Sequence, residues 1–191
     1  METRPAEIKD LFQNFYSVPD FQREFVWTAG KHVDQLLTDL LQAFQDSSPE
    51  EYFLGCLVFY EQDGTRYLVD GQQRVTTLFL LMCAMRDYLQ DIDEDAKTLV
   101  LNKAIRDLDP GSDSEEERYR VTLQYPEVSE VLEAIGTGKG KDLSPGKGTR
   151  YRLVKAYKYC LEFLSLHFGS DVKEVGEFFP VCLEESSSHH N

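Results

Sequence analysis

The chain has 191 residues and a formal net charge of −14, enough length for one substantial domain or a domain with an appendage. Such an acidic surface disfavours a protein that grips a DNA backbone over its whole surface. A membrane span needs about eighteen consecutive apolar residues, and the longest apolar run, residues 78–85, is much shorter.

The first half of the chain predicts short strands alternating with helices. Residues 16–18 predict a strand, and the three-four spacing of apolar residues from Val33 to Phe44 predicts an amphipathic helix. Two runs rich in β-formers, residues 52–60 and 65–69, flank the turn pair Asp63-Gly64, which is typical of a β-hairpin.

The second half is richer in helical patterns. Residues 99–105 fit a strand or a helix, residues 119–124 alternate like a strand, and residues 128–135 predict a short helix. A longer helix is predicted over residues 153–164 and ends near Gly169. This order predicts an α/β (α+β) domain with a small mixed sheet, surrounding helices and a helical extension.

Asp70-Gly71-Gln72-Gln73-Arg74 falls where the second hairpin strand meets a helix over residues 75–89 that is apolar on nearly every face. Free backbone amides at such a helix start, with the helix dipole behind them, favour a phosphate or a carboxylate. The dipole contributes only about 0.3–1 kcal/mol, so side chains must supply most of any binding energy.

The side chains of this segment offer that chemistry. Arg74 can donate to phosphate oxygens, and Gln72 and Gln73 suit a sugar, a base edge or an attacking water. Asp70 could hold a metal ion or orient water. The alternative is structural: Asp70 caps the helix, Arg74 pairs with an acid, and both glutamines are solvated.

Cysteines and histidines exclude several other chemistries. Neither residue type shows metal-ligand or catalytic-triad spacing, and no HNH nuclease motif is visible. We therefore expect reduced core thiols, and the start of the chain lacks the apolar segment of a signal peptide, which favours a cytoplasmic protein. The cysteines are Cys56, Cys83, Cys160 and Cys182.

The run from Asp70 to Leu78 resembles the signature of the GmrSD-type modification-dependent restriction endonuclease N-terminal family, which is similar in fold to ParB and sulfiredoxin. Residues 18–27 resemble that family's upstream Pro-x-x-Gln-Arg-x-x-x-Trp segment, with Gln22, Arg23 and Trp27 at the matching places. The likeness spans most of the chain, but only these two motifs are specific.

The resemblance implies a nucleoside triphosphatase, using GTP, UTP or CTP with Mg²⁺, coupled to an endonuclease that restricts modified phage DNA. It makes Asp70, Gln72, Gln73 and Arg74 the catalytic residues, with Asp70 as the metal ligand. The implied nucleotide-binding residues are Gln22, Arg23, Gly71, Gln72, Gln73, Arg74, Val75 and Thr76. Because this chain lacks an HNH motif, a fragment or a split subunit is expected, with the HNH-type nuclease domain or subunit and DNA as partners and no membrane. A homodimer is left open.

We call residues 18–27 the first motif and residues 70–78 the second, in chain order. Two residues of the first motif fit more than one role. Arg23 fits a second contact to the anion, or an ion pair with Asp70 that braces the loop. Trp27 could stack on a base, although a tryptophan among Phe21, Phe25 and Val26 is more often part of a core.

We divide the chain into a ParB-like nucleotide-binding domain, residues 1–110, and a partial, mostly helical extension, residues 111–191. The extension holds a basic stretch, residues 136–158, whose local charge of +6 leaves −20 elsewhere, and the first part of this stretch, residues 136–149, is a glycine-rich loop. Its glycine spacing does not fit a phosphate-binding P-loop. It could touch a nucleic-acid backbone, close over the nucleotide, or be an ordinary solvated loop.

The sequence thus supports hypotheses of different classes. The first is an NTP-binding and NTP-hydrolysing module of a restriction or anti-phage system. The second is a non-catalytic DNA-sensing or protein-interaction module with a ParB-like fold, and a third is direct phosphodiester cleavage by the same site.

Overall fold

The computed structural model of the protein describes residues 8–46, 53–93, 98–108 and 116–178, which form both strands and helices. The strands are β1 Phe15–Val18, β2 Val58–Gln62, β3 Thr65–Asp70, β4 Arg106–Leu108, β5 Glu117–Tyr119 and β6 Val121–Leu123. The helices are α1 Ile8–Leu11, α2 Asp34–Gln45, α3 Gln72–Ile92, α4 Leu99–Ile105, α5 Pro126–Gly136, α6 Gly148–Phe168 and α7 Val172–Phe178.

The main sheet has the strand order β2-β3-β1-β6, with β3 and β1 as its two central strands. β1 pairs in parallel with β3 and with β6, whereas β2 and β3 form the antiparallel hairpin. Parallel neighbours need long crossover connections, and α2 and α3 lie in those connections. A separate pair, β4 and β5, is antiparallel. The predicted small mixed sheet of an α/β (α+β) domain is confirmed.

α3 is the central helix of the core, as its apolar pattern predicts. Its residues from Val75 to Leu89 are all buried. It packs along α6 on one side and against α4 on another. The sheet contributes one face to the same core, through Tyr16, Val18, Leu68, Val121 and Leu123. The start of α3 is therefore held rigidly at the end of β3.

The predicted hairpin is confirmed, with one correction. Asp63 and Gly64 both have positive φ, 49° and 70°, as a two-residue type I′ turn requires. The first strand begins only at Val58, so the expected strand over residues 52–60 is too long. Residues 53–57 run outside the sheet because Arg74 binds the Leu54 and Cys56 carbonyl groups, and Tyr52 lies outside the described residues.

The structure also decides the remaining secondary-structure predictions. Residues 99–105, whose sequence fits either a strand or a helix, form the helix α4. The strand expected over residues 119–124 is divided into β5 and β6 at Arg120, whose N–H donates to Ile105 and whose carbonyl accepts from Tyr16. The helix predicted over residues 153–164 is confirmed and extends from Gly148 to Phe168, directly before Gly169.

Elements on both sides of residue 110 share one hydrophobic core. β6 completes the main sheet beside β1, and α6 packs along α3. The division into two domains at that residue stays a prediction. Within the described ranges, none of the helices combines the length and apolar character that crossing a membrane requires.

A buried ion pair fixes the start of the glycine-rich stretch. Arg86 Nε lies 2.7 Å from Asp87 Oδ1, and both side chains are almost fully buried. Arg86 also donates to the carbonyl oxygens of Ile135 and Gly136 at the end of α5, while Asp87 Oδ2 accepts from the Tyr157 hydroxyl at 2.6 Å. The network therefore joins α3, α5 and α6.

The cysteine expectation holds for two residues. Cys83 and Cys160 are buried free thiols, and burial raises the pKa of both, that of Cys160 to about 12. Cys56 is exposed, so the expectation of a core thiol is wrong there. It lies in the irregular segment before β2 rather than in a strand. Cys182 lies outside the described residues.

Candidate functional site

The turn between β3 and α3 leaves the helix start open. Gly71 has a φ of 88°, a left-handed conformation that favours glycine, and it directs the chain into α3. No side chain caps the helix, and its first backbone hydrogen bond runs from Val75 N to Gly71 O at 3.1 Å. The amides of residues 72–74 precede that bond and are the groups that an anion would meet.

Gln73 binds the first motif to the second. Its Oε1 accepts hydrogen bonds from the backbone nitrogens of Val26 and Trp27, at 2.8 and 3.3 Å. Its Nε2 donates to the carbonyl oxygen of Glu24 at 3.0 Å. Gln73 is buried, not solvated, and its side-chain amide is occupied by backbone groups. The geometry therefore gives it a positioning role.

Arg74 holds the segment before β2 in the same way. Its guanidinium donates to the carbonyl oxygens of Leu54 and Cys56, the latter at 2.7 Å. A Cβ atom on Gly55, whose φ is 95°, would lie 2.1 Å from Arg74 Nη1, so only glycine leaves room for this guanidinium. No described carboxylate forms an ion pair with Arg74.

Asp70, Gln72 and Arg23 retain groups that a ligand could use. Asp70 ends β3 and is exposed. Gln72 is only 9% exposed and no described residue hydrogen-bonds to its amide. Since no fully buried side-chain nitrogen or oxygen among the described residues lacks a partner, that amide reaches solvent. Arg23 is exposed and makes no ion pair with Asp70, so the bracing alternative is not found.

Three other residues that the resemblance makes nucleotide-binding residues are buried or half-buried in the structure. Val75 and Thr76 are buried, and the Val75 amide already donates to Gly71. Gln22 is half-buried, and its carbonyl oxygen accepts a hydrogen bond from the Tyr125 hydroxyl. Burial raises the pKa of that hydroxyl. Any contact from Gln22 to a ligand would therefore come from its side chain.

Trp27 follows the core alternative. It is half-buried and packs against the hydrophobic core. Its indole stacks on the imidazole of His32, with 5.9 Å between ring centroids and 16° between planes. One face of the indole is therefore already covered.

A groove next to the first motif was not predicted from the sequence. Glu24 receives a hydrogen bond from the Thr149 hydroxyl at the start of α6, while its carbonyl oxygen accepts from Gln73. The groove has a volume of about 710 Å³ and is lined by Glu24, Glu127, Val128, Glu130, Lys147, Gly148, Thr149 and Arg150. The basic stretch thus contacts the first motif through Thr149. Local patterns give no sign of this contact, because Glu24 and Thr149 are 125 positions apart.

The described residues hold no cluster of three or more Asp, Glu, His or Cys that could bind a metal ion. Asp70 is therefore a single carboxylate. This donor set fits Mg²⁺ only in the form in which it accompanies a nucleotide, with phosphate oxygens and water as its other ligands.

The protein is thus a mixed α/β domain in which no side chain caps the start of the central helix α3. The first motif, with Gln22 and Arg23, is hydrogen-bonded through Glu24 to Gln73 of the second motif at this helix start. A family model described as the GmrSD restriction endonuclease, N-terminal domain, matches residues 8–181. The chain belongs to this family, and the resemblance stated from its two motifs is confirmed. Membership connects it to a restriction system, in which a nuclease domain and DNA are the wider partners. A search of curated protein sequences finds no match.

Proposed function

We propose that the chain is the NTP-binding and NTP-hydrolysing module of a modification-dependent, type IV-like restriction system, with its HNH-type nuclease on another domain or subunit. The uncapped start of α3 at the Asp70–Arg74 turn carries this proposal. The first motif lies against that start because Gln73 holds residues 24–27 there. The backbone amides at the start of α3 and the guanidinium of Arg23 are the kinds of group that bind polyphosphates.

The energies are compatible with this assignment. A micromolar ligand requires about 8 kcal/mol, of which the helix dipole supplies about 0.3–1 kcal/mol. Each hydrogen bond to a charged phosphate oxygen adds about 1.5–3 kcal/mol. Three or four such bonds, from Arg23, the Gln72 side chain and the amides at the start of α3, would reach the required sum.

The proposal divides the motif into positioning and contacting residues. Gln73 and Arg74 hold the two flanking segments, and Arg74 adds positive potential at the opening. Arg23 and Gln72 contact the triphosphate. Asp70 would be the protein ligand of nucleotide-bound Mg²⁺, which neutralises developing phosphoryl charge when bound.

Hydrolysis in this arrangement uses one water molecule. Gln72 or Asp70 orients it toward the γ-phosphorus, a new P–O bond forms, and the bond to the β–γ bridging oxygen breaks. The attacking water loses a proton to the solvent, and the products are a nucleoside diphosphate, inorganic phosphate and that proton. The amides of α3 and Arg23 stabilise the charge that develops on the phosphoryl oxygens.

The test is calorimetric titration of GTP, UTP, CTP and ATP with Mg²⁺ into wild type and into Arg23→Ala. Arg23 is exposed and has no ion-pair partner among the described residues, so its loss should leave the fold intact. We expect binding to weaken roughly 10- to 100-fold, the equivalent of one charge-assisted hydrogen bond. Lys31→Ala, which removes an exposed cation on the turn before α2, is the matched control. Equal affinity of wild type, Arg23→Ala and Gln72→Ala would refute this site.

The non-catalytic alternative has one observation in its favour. Gln73 and Arg74 are both occupied by backbone groups, as expected if the motif only stabilises the fold. Phosphate release separates the two proposals: Mg²⁺-dependent turnover by wild type that Asp70→Asn abolishes excludes the alternative. Tight nucleotide binding without turnover would favour it.

A further inference from the structure

The first three turns of α6 carry cations that the fold leaves unused. Tyr151 and Lys155 are exposed and lie four residues apart, so they share one face of the helix, and the exposed Lys147 directly precedes its first residue. Arg152 is half-buried beside them. We call these four residues the basic stripe. It lies at the N-terminal, positive end of a 21-residue helix, which adds to its potential.

Three other cations of the same stretch are already engaged. Lys141 pairs with the Asp91 carboxylate at 2.5 Å and donates to the Asp87 carbonyl oxygen. Lys158 donates to the Leu143 carbonyl oxygen and Arg150 to that of Ser144. By contrast, no described acid pairs with Lys147, Arg152 or Lys155. The Lys155 ammonium lies 6.0 Å from the centroid of the Tyr151 ring, so the two side chains form one surface.

We propose that the basic stripe docks the phosphate backbone of duplex DNA. The inference rests on the proposed restriction function, which makes DNA the polyanion that the protein meets. Charge supports it, because residues 136–158 carry +6 while the remainder of the chain carries −20. A polyanion is therefore repelled by the acidic remainder of the chain and attracted to the basic stretch, in which Lys147, Arg152 and Lys155 are the cations of the stripe.

Acidic neighbours limit the extent of the contact. Glu24, Glu127 and Glu130 line the groove at the start of α6, and Lys147 lies at the same groove. A phosphate backbone would therefore meet Lys147 from outside the groove, on the side of Tyr151 and Lys155. Three cations, Lys147, Arg152 and Lys155, then define the footprint. Each neutralised phosphate of duplex DNA contributes about −0.9 to the slope of log K against log[salt], so we expect a slope of about −3.

The experiment measures binding of a short labelled DNA duplex to the full chain by fluorescence anisotropy, between about 50 and 200 mM salt. The variant is Lys147→Gln with Lys155→Gln, and the matched control, Lys31→Gln with Lys103→Gln, removes two exposed lysines elsewhere. We expect the stripe variant to lose at least about tenfold in affinity and about two units of salt slope, and the control to keep both.

Nucleotide titration of the stripe variant separates this inference from the proposed function. Unchanged nucleotide affinity with weakened DNA binding supports the stripe as a distinct surface, whatever the outcome at Arg23. Three results would overturn it: no salt-dependent binding of duplex, equal losses in the control variant, or equally tight binding of an acidic polypeptide, which would indicate a protein partner instead.

Discussion

The Nε2 atom of Gln73 lies 3.0 Å from the carbonyl oxygen of Glu24, so a side chain of the second motif holds the backbone of the first. The two residues are 49 positions apart. Any ligand site at the start of α3 is therefore assembled by this hydrogen bond and by the two that Gln73 accepts from Val26 and Trp27.

Replacing Gln73 with leucine should release that segment. The change leaves the Val26 and Trp27 amides and the Glu24 carbonyl without their partner, and we expect unfolding free energy to fall by about 2–3 kcal/mol. Trp27 is the only tryptophan of the chain, so its fluorescence reports this segment directly during urea denaturation. Gln42→Leu, at an exposed position of α2, is the control and should stay within about 0.5 kcal/mol of wild type. Identical emission and stability of Gln73→Leu would contradict the bracing role.

Gly71→Ala should destabilise the junction in two ways. The residue would be held at a φ of 88°, which costs about 1–2 kcal/mol for a non-glycine residue, and its Cβ would lie 2.2 Å from Leu57 Cδ2. We expect a loss of about 2–4 kcal/mol in urea denaturation. Gly64→Ala has a positive φ but open space, and Gly30→Ala has open space and no positive φ, so the series separates strain from clash. Equal effects of Gly71→Ala and Gly64→Ala would show that the Leu57 contact relaxes without cost.

The buried ion pair of Arg86 and Asp87 predicts that two substitutions destabilise the protein by different amounts. Tyr157→Phe removes a 2.6 Å hydrogen bond to Asp87, which keeps Arg86 as a partner, and should cost about 1.5–3 kcal/mol. Asp87→Asn leaves the Arg86 guanidinium buried without a counter-charge and should cost about 3–5 kcal/mol. Chemical denaturation measures both, with the exposed Tyr60→Phe as control. A larger loss for Tyr157→Phe than for Asp87→Asn would reverse the assigned roles.

Alkaline pH should reduce stability through Tyr159. Its hydroxyl donates to Asp34 Oδ1 at 2.6 Å, and this bond, with burial, raises its pKa from 10.0 to about 12. The folded protein keeps a proton that the unfolded chain releases, so the stabilisation is complete below about pH 10 and is lost as pH rises toward 12. Burial also raises the pKa of Tyr157, with the same sign.

Unfolding free energies measured at several pH values between about 8 and 12 check this. Tyr159→Phe should flatten part of the decline and remove one late-titrating hydroxyl from the tyrosinate absorbance curve. Tyr60→Phe, which removes an exposed hydroxyl, is the comparison. An unchanged decline in Tyr159→Phe would show that the Asp34 hydrogen bond does not govern the transition.

The elements that local patterns specify could be predicted from the sequence. Asp63-Gly64 encodes the hairpin turn in two residues, and the apolar run after Arg74 encodes a core helix through its own periodicity. The parallel pairing of β1 with both β3 and β6 could not be predicted, because its hydrogen bonds join segments far apart in the chain.

The sequence predicted where the candidate site lies better than it predicted what each of its residues does. The Asp70–Arg74 turn is the strand-to-helix junction that the motif indicates. The partners of Gln73 and Arg74 are backbone groups 46–49 and 18–20 residues away, and residue type alone does not reveal such partners. The same limit applies to Cys56, whose surroundings depend on the segment that Arg74 holds.

The central place of β1 has a consequence for biosynthesis. Residues 15–18 leave the ribosome before both segments with which they pair, residues 65–67 and 121–123. One edge of β1 must therefore stay unpaired until residues 121–123 have been translated. Closing such long loops is slow, so the nascent protein should acquire its native sheet as one of its last folding events.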